Sequence, residues 1–404
     1  MISVSEARDR MLRAFRPMPA EQVALAAALG RALAEDVVAR RTQPPVAVSA
    51  MDGYAVRAAD VATVPARLTC IGEAPAGGAF SGTVGPGQAV RIFTGGPVPD
   101  GADTIVIQED VVVDGADIVV REGAPEGRYI RPAGLDFRAG TVGLKAGRRL
   151  GPREIGLAAA MDVPWLQVRR RPRVALLATG DEIVMPGDPV GPNQIVSSNV
   201  LALAAFVAER GGVPIDLGIA RDTVQSLQAK AAGAVGADLL VTTGGASVGD
   251  HDLVQEALAD RGLAIDFWKI AMRPGKPLMF GRFGEVPLIG LPGNPVSSLV
   301  CALLFLGPIL DHMLGLPPVE PRTATARLGI DLAANDRRED YLRSRLSRND
   351  DGELVATPFS KQDSSMMSLL VESDCLVVRA PHAPPARAGD VVTIIPLTPQ
   401  SGGV

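Results

Sequence analysis

Three times between residues 173 and 300 the chain repeats one cassette: an unbroken apolar run, a Gly-rich polar loop, then the start of a helical period. The copies are VALLATGDE, LLVTTGGASVGDHD and VPLIGLPGNPVSS. Runs of Val, Leu and Ile that stop at Gly without alternating predict strands buried on both faces, hence parallel ones. The loops after parallel strands gather at the carboxyl edge of one sheet, where open α/β sheets bind their ligands. Doublets of strand and helix repeat four or five times as far as residue 316. Within them Ser198 or Asn199 is placed to cap a helix that stops at Gly211 and Gly212, and Asp222 with Gln225 to cap the next.

Outside this segment the pattern changes twice. Ser3 with Glu6 forms a capping box for a helix to about residue 15, closed by Pro17 and Pro19, and a second helix is expected over 21–36. From 41 to about 140 Gly and Pro rise, and short β-rich runs appear: ARLTCIGE, QAVRIF, DTIVIQEDVVV and ADIVVRE. Asp114-Gly115 between the last two predicts a type I′ hairpin. Pro152 suits the first turn of a helix through Ala160. After the Pro pair at 317 and 318 the chain alternates in short strands with a turn at Asp351-Gly352, which predicts a small β domain.

Bulk numbers narrow the function class. At 404 residues two to four domains are expected. A net charge of −5 and a pI near 5.4 give no overall attraction to nucleic acid or an anionic membrane. The longest apolar run, 299–310, is too short to span a bilayer and contains Pro308. The N-terminus has no export signal, so a cytoplasmic location is expected. Cys70, Cys301 and Cys375 are scattered, as are His251, His312 and His382, which disfavours a disulfide framework or zinc and leaves oxygen ligands for any metal.

The cassette loops supply those oxygens. Thr179, Gly180, Asp181 and Glu182 follow the first strand. Gly244, Gly245, Ser247, Asp250 and Asp252 follow the second. Hydroxyls and backbone N–H groups suit phosphate oxygens, and the carboxylates, with Glu182, Asp250 and Asp252 as the metal set, suit Mg²⁺. MRPGKP places Arg273 and Lys276 on a proline-framed loop with Lys269 just before it. Two of the chain's five Lys fall in these eight residues, so basic bias alone does not explain them. Cations beside an acidic site are what a polyanion such as a pyrophosphate requires. In the third loop Pro292 and Pro295 fix the geometry, and a helix is expected to start at Ser297. Gly245 to Gly249 also fits the G-x-S-x-G elbow of serine hydrolases, which would need a downstream acid and histidine. For SAMDGYAV and FTGGPVPDGAD turn chemistry suffices, and Asp222 is accounted for as a cap.

Taken together, SAMDGYA, TGGPVPDGAD, ATGDE, TTGGASVGDHD, RPGKP and GLPGNPVSS resemble the molybdopterin molybdotransferase family, which completes molybdenum cofactor and includes the E domain of gephyrin. The resemblance implies a multidomain α/β plus β fold. Its parts would be a split helical linking region (1–42 and 139–168), a β insert (43–138), a molybdopterin-binding-like α/β domain with a parallel-rich sheet (169–316) and a C-terminal β-barrel-like domain (317–404). It implies Mg²⁺-dependent insertion of molybdate into adenylylated molybdopterin with release of AMP, by a homodimer whose site draws on the β insert of the partner. By motif match Asp52, Asp136, Glu182, Asp222, Asp252 and Lys276 would be catalytic. Thr94, Arg131, Lys269 and Arg273 would position phosphate or molybdate, and Arg343 and Ser368 would add an anion site. Arg273 stands where many members carry Lys.

A molybdopterin adenylyltransferase shares the α/β domain and remains an alternative, although such enzymes usually consist of that domain alone. A non-catalytic scaffold of the same fold is another. An adenylyltransferase and recipient molybdoenzymes are possible partners.

Overall fold

The computed structural model describes residues 1–244, 263–317 and 322–397. The chain forms two compact units. One comprises residues 1–21, 30–34 and the chain from 168 onward, and the other residues 22–29 and 35–167.

In the first unit the three cassettes form adjacent parallel strands. Arg173–Thr179 lies between Val213–Ala220 and Leu239–Thr243, and Leu239–Thr243 pairs in turn with Val286–Leu291. Two antiparallel strands, Met279–Phe283 and Leu263–Trp268, complete the sheet. Helices cover it because strands buried on both faces must find apolar partners there. Asn199–Glu209 and Pro295–Cys301 contribute Leu203, Val207, Val296 and Val300 to the main core. The N-terminal helix Val4–Arg13 adds Val4, Ala7 and Met11 to the same core, and the Ser3 hydroxyl accepts from Glu6 N at 3.1 Å as the capping residue.

Three local expectations shift. The third cassette's helix begins at Pro295, two residues early, because proline at the first helical position needs no donor. Pro308 does not end the apolar helix. A π-helical stretch, Ala302–Leu306, widens the turn ahead of it, and the helix resumes as Gly307–Met313. The 19 residues from Pro295 to Met313 are therefore long and apolar enough to cross a bilayer, but 72% of the apolar window is buried inside the protein. This is a core helix, with Phe305, Leu306 and Leu310 fully buried. Finally, the cap of helix Val224–Ala231 is Thr223, whose hydroxyl accepts from Ser226 N at 3.2 Å, and not Asp222.

The C-terminal strands close on themselves. Glu339–Arg348 pairs with Leu354–Pro358, which leads through Ala324–Leu328 and Val391–Pro396 to Cys375–Arg379 and back to Glu339–Arg348, a five-stranded barrel. A short strand from the α/β segment, Met272–Arg273, pairs with it at Glu339 and Asp340.

The second unit holds the β insert, in strand order 104–107, 53–56, 88–92, 66–74, 117–120, 111–114. The expected single run over 103–113 is two strands, Thr104–Ile107 and Val111–Asp114, at opposite edges of the sheet. Only the turn Gln108–Asp110 separates them, so the sheet must curl until its edges lie close. The hairpin after Val111–Asp114 has Gly115 and Ala116 as its loop, because Asp114 already pairs with Asp117. Gly115 alone has positive φ, +62°, which is the sign pattern of type II′ and not I′. No helix spans 21–36. That stretch holds the strand Ala20–Ala24 and a single 3₁₀ turn, Leu25–Ala27, because Leu25 N donates to Pro164 O, a tertiary partner that overrides helical propensity. Strands Val37–Val38 and Val142–Leu144 pair antiparallel and join the two halves of the region flanking the insert.

Candidate active site

Strand register places the predicted loops at one edge of the α/β sheet. Thr179 pairs with Ala220, Ala178 with Thr243, and Thr243 with Leu291, so all four parallel strands end together. Gly290 faces Met279 and Met279 faces Trp268. The connection 269–278, which carries Lys269, Arg273 and Lys276, therefore turns at that same edge.

The Gly-rich backbones at this edge are in contact. Gly244 has φ +93°, and a Cβ there would stand 2.3 Å from Thr179 O. A Cβ on Gly293 would meet the Gly244 Cα at 3.5 Å. The Thr243 hydroxyl donates to Pro292 O at 3.3 Å. The Asn199 side-chain amide donates to Thr243 Oγ1 at 2.8 Å and to Gly293 O at 2.7 Å. On the far side of the third loop, Asn294 Nδ2 donates to Ser364 Oγ at 2.7 Å and Val296 N to Ser364 O at 3.1 Å. Thr179, only 2% exposed, keeps a buried hydroxyl with no hydrogen-bond partner among the described residues. A buried hydroxyl normally has a partner, which sets Thr179 apart from its neighbours at this edge.

The acids lie beside it. The Glu182 carboxylate folds over Gly180, where a Cβ would stand 2.3 Å from Oε2. Asp181 Oδ1 accepts from Asp222 N at 3.3 Å, and Arg221 Nη1 donates to Asp181 O at 3.2 Å, which ties the first loop to the 221–223 turn. These are hard oxygen donors, the kind Mg²⁺ takes. Among the described residues, however, no group of three or more His, Cys, Asp or Glu is assembled. Gly245, Ser247, Asp250 and Asp252 lie outside the described residues. Cys301 and Cys375 are buried free thiols, and burial pushes the Cys375 thiol up to about 12, so neither offers a thiolate.

Thr223, not Asp222, caps the helix, so the two residues separate cleanly. Thr223→Ala should cost about 1 kcal/mol of stability in urea unfolding with kcat/KM nearly unchanged. Asp222→Ala should leave stability within about 0.5 kcal/mol and lower kcat/KM at least tenfold.

Of the basic residues, Lys269 has a left-handed backbone at φ +74° and its Nζ stands 3.9 Å from the Trp268 ring centroid. Lys269 and Lys276 have no carboxylate partner among the described residues. Arg273 differs from expectation. Its guanidinium is forked onto Asp340, with Nε to Oδ1 at 2.9 Å and Nη2 to Oδ2, and Asp336 lies 3.7 Å away, so its charge is already matched. Arg343 is a second correction. It is 1% exposed and donates to Asp363 O at 2.8 Å and Met366 O at 3.0 Å, which leaves the guanidinium no open face for an anion. Ser368 is exposed on the short helix Met367–Val371.

In the second unit, Asp52 Oδ1 accepts from Thr94 N at 2.7 Å and from Thr94 Oγ1 at 2.8 Å. Those two donors hold the Asp52 carboxyl below the usual carboxylate range. Ser49 and the 95–96 backbone exchange hydrogen bonds, and Arg131 pairs with Val48, so the two Gly/Pro-rich motifs form one constellation. Arg131 and Asp136 line a groove of about 590 Å³ with Pro44, Pro45 and Gly95. Sequence reasoning missed Arg91, which stacks on Tyr54 and Phe93 at 5.0 and 5.1 Å and donates to Gly53 O, next to Asp52.

Family models match the chain almost end to end: the MoeA N-terminal region (domain I and II) over residues 2–161, a probable molybdopterin binding domain over 175–312, and the MoeA C-terminal region (domain IV) over 325–397. The molybdopterin molybdenumtransferase of Haemophilus influenzae is 32% identical over 98% of both chains. The chain belongs to the MoeA family of molybdopterin molybdenumtransferases. Another member, from Nostoc sp., is 40% identical over 80% of this chain and 76% of its own. The crystal structure of a MoeA protein from Pyrococcus horikosii is similar at a TM-score of 0.85 and 31% identity, covering 99% of this chain and 100% of that one. The parallel-rich sheet, curled β insert and closed barrel are thus the MoeA fold.

Proposed function

We propose that this chain is a molybdopterin molybdenumtransferase that takes adenylylated molybdopterin and molybdate, releases AMP and yields molybdenum cofactor. The observation that carries this reading is the merging of three Gly-rich strand ends into one backbone surface around the Thr179 hydroxyl, which has no partner among the described residues, within a chain that matches the family along nearly its whole length. Backbone N–H groups of such loops and the Thr179 hydroxyl bind phosphate oxygens. Lys269 and Lys276, without carboxylate partners among the described residues, oppose the negative charge that develops as AMP leaves. Glu182 with Asp250 and Asp252 are the proposed Mg²⁺ donors, and the ion when bound would neutralise part of the pyrophosphate charge. Asp52 is held ionised by its two Thr94 bonds at neutral pH, so with Arg131 and Asp136 it supplies a second polar set. The proposed working form is a cytoplasmic homodimer.

The test is AMP release from adenylylated molybdopterin with Mg²⁺, with and without molybdate. Molybdate-dependent release with active cofactor formed is expected. No release, with ATP-dependent consumption of molybdopterin instead, would move the chain to the adenylylation step.

A further inference from the structure

Asn199 is the first residue of helix Asn199–Glu209, behind Ser198 at the N-cap, whose side chain makes no capping bond, and the Asn199 side-chain amide is turned to other partners. Both hydrogens of the amide leave the helix. One goes to Thr243 Oγ1 at the end of the second cassette strand, the other to Gly293 O in the third cassette loop. The acceptor Thr243 Oγ1 spends its own hydrogen on Pro292 O. Three hydrogen bonds thus join two loops distant in sequence, at the point where Gly244 and Gly293 touch backbone to backbone. Neither glycine has a side chain to lock the contact, so the lock must come from elsewhere.

We infer that Asn199 is a positioning residue for the transferase reaction, a clamp that sets the spacing of the second and third ligand loops. Thr243 is its partner. The inference rests on the proposed function for its kinetic consequence, although the clamp itself is a property of the protein without ligand. Asparagine is required because the site needs two donors from one planar group. Asp keeps the size and is favoured at a helix N-terminus, but presents an oxygen to Gly293 O where a donor is needed.

The test compares Asn199→Ala, Asn199→Asp, Thr243→Val and the Asn199→Ala/Thr243→Val pair in the full-length protein. Hydrogen exchange of peptides covering 239–244 and 286–294, measured without ligand, should speed up in all variants while the rest of the chain is unchanged. In the AMP-release assay KM for adenylylated molybdopterin should rise about tenfold with kcat changed less than threefold, and the double variant should be no worse than Asn199→Ala. A merely structural role predicts that Asn199→Asp, which suits the helix, behaves as wild type. That result, or unchanged kcat/KM in Asn199→Ala, would overturn the clamp. If wild type releases no AMP, the functional reading fails instead, and the exchange experiment decides the clamp alone.

Discussion

Gly244→Ala is expected to lower AMP release at least a hundredfold while the protein still folds. The added Cβ would stand 2.3 Å from Thr179 O and 3.0 Å from Thr179 Oγ1, and φ at this position is +93°. The left-handed backbone alone costs a non-Gly residue about 1–2 kcal/mol. The clash is the larger effect, because its partner is backbone at the end of a buried parallel strand and cannot rotate away. Either the Thr179 carbonyl or the Gly244 loop must shift by about an ångström. A displacement of that size at a ligand-positioning group costs about a hundredfold in rate. Gly236→Ala is the control: its φ is +80°, but nothing lies within 4 Å of the added carbon. It should lose about 1–2 kcal/mol in urea unfolding and keep wild-type turnover. Equal loss of activity in the two variants would mean that backbone strain, not the contact with Thr179, governs the site.

The contrast between these two glycines shows what a sequence can reveal. Apolar runs ending at Gly announced the parallel strands, because burial on both faces leaves a compositional mark that needs no tertiary information. Their adjacency followed from topology, and strand register bears it out: 173–179, 239–243 and 286–291 are neighbours. Helix Pro152–Ala160 was legible to the residue because Pro152 acts locally. The segment 21–36 was not, because the Leu25 N–H is satisfied by Pro164, more than a hundred residues away. The loss of that helix is a tertiary event. Capping failed in the same way at two places. Thr223 and Asp222 are both good caps in isolation, and only the placement of Asp222 N against Asp181 decides between them. Of Ser198 and Asn199, the two candidates for the other cap, Ser198 takes the N-cap position without a side-chain bond, and the Asn199 amide goes to Thr243 and Gly293. Charge was the least legible property. Arg273 and Lys276 are three residues apart and look alike in sequence, but among the described residues only Arg273 meets a buried carboxylate.

That pairing sets the second large effect. Arg273→Ala should destabilise the protein by about 3–5 kcal/mol, and Asp340→Ala by clearly less. The asymmetry follows from burial. The Asp340 side chain is 5% exposed and the Arg273 side chain 49%. Removing Arg273 strands a buried carboxylate that has lost both forked bonds. Removing Asp340 leaves a half-exposed guanidinium that can turn to water and to Asp336, 3.7 Å away. Because Met272–Arg273 pairs with the barrel at Glu339 and Asp340, the loss should appear as an earlier urea transition of the barrel. Arg273→Lys should fall between the two variants, since an ammonium keeps the charge but cannot reproduce the fork. A substrate-binding Arg273 predicts the opposite ranking of observables: KM rises strongly in Arg273→Ala while the urea midpoint stays put. Measuring both on the same variants separates an arginine that holds the barrel to the ligand loop from one that holds the ligand, and the geometry favours the first, leaving Lys269 and Lys276 as the cations of this loop without a carboxylate partner among the described residues.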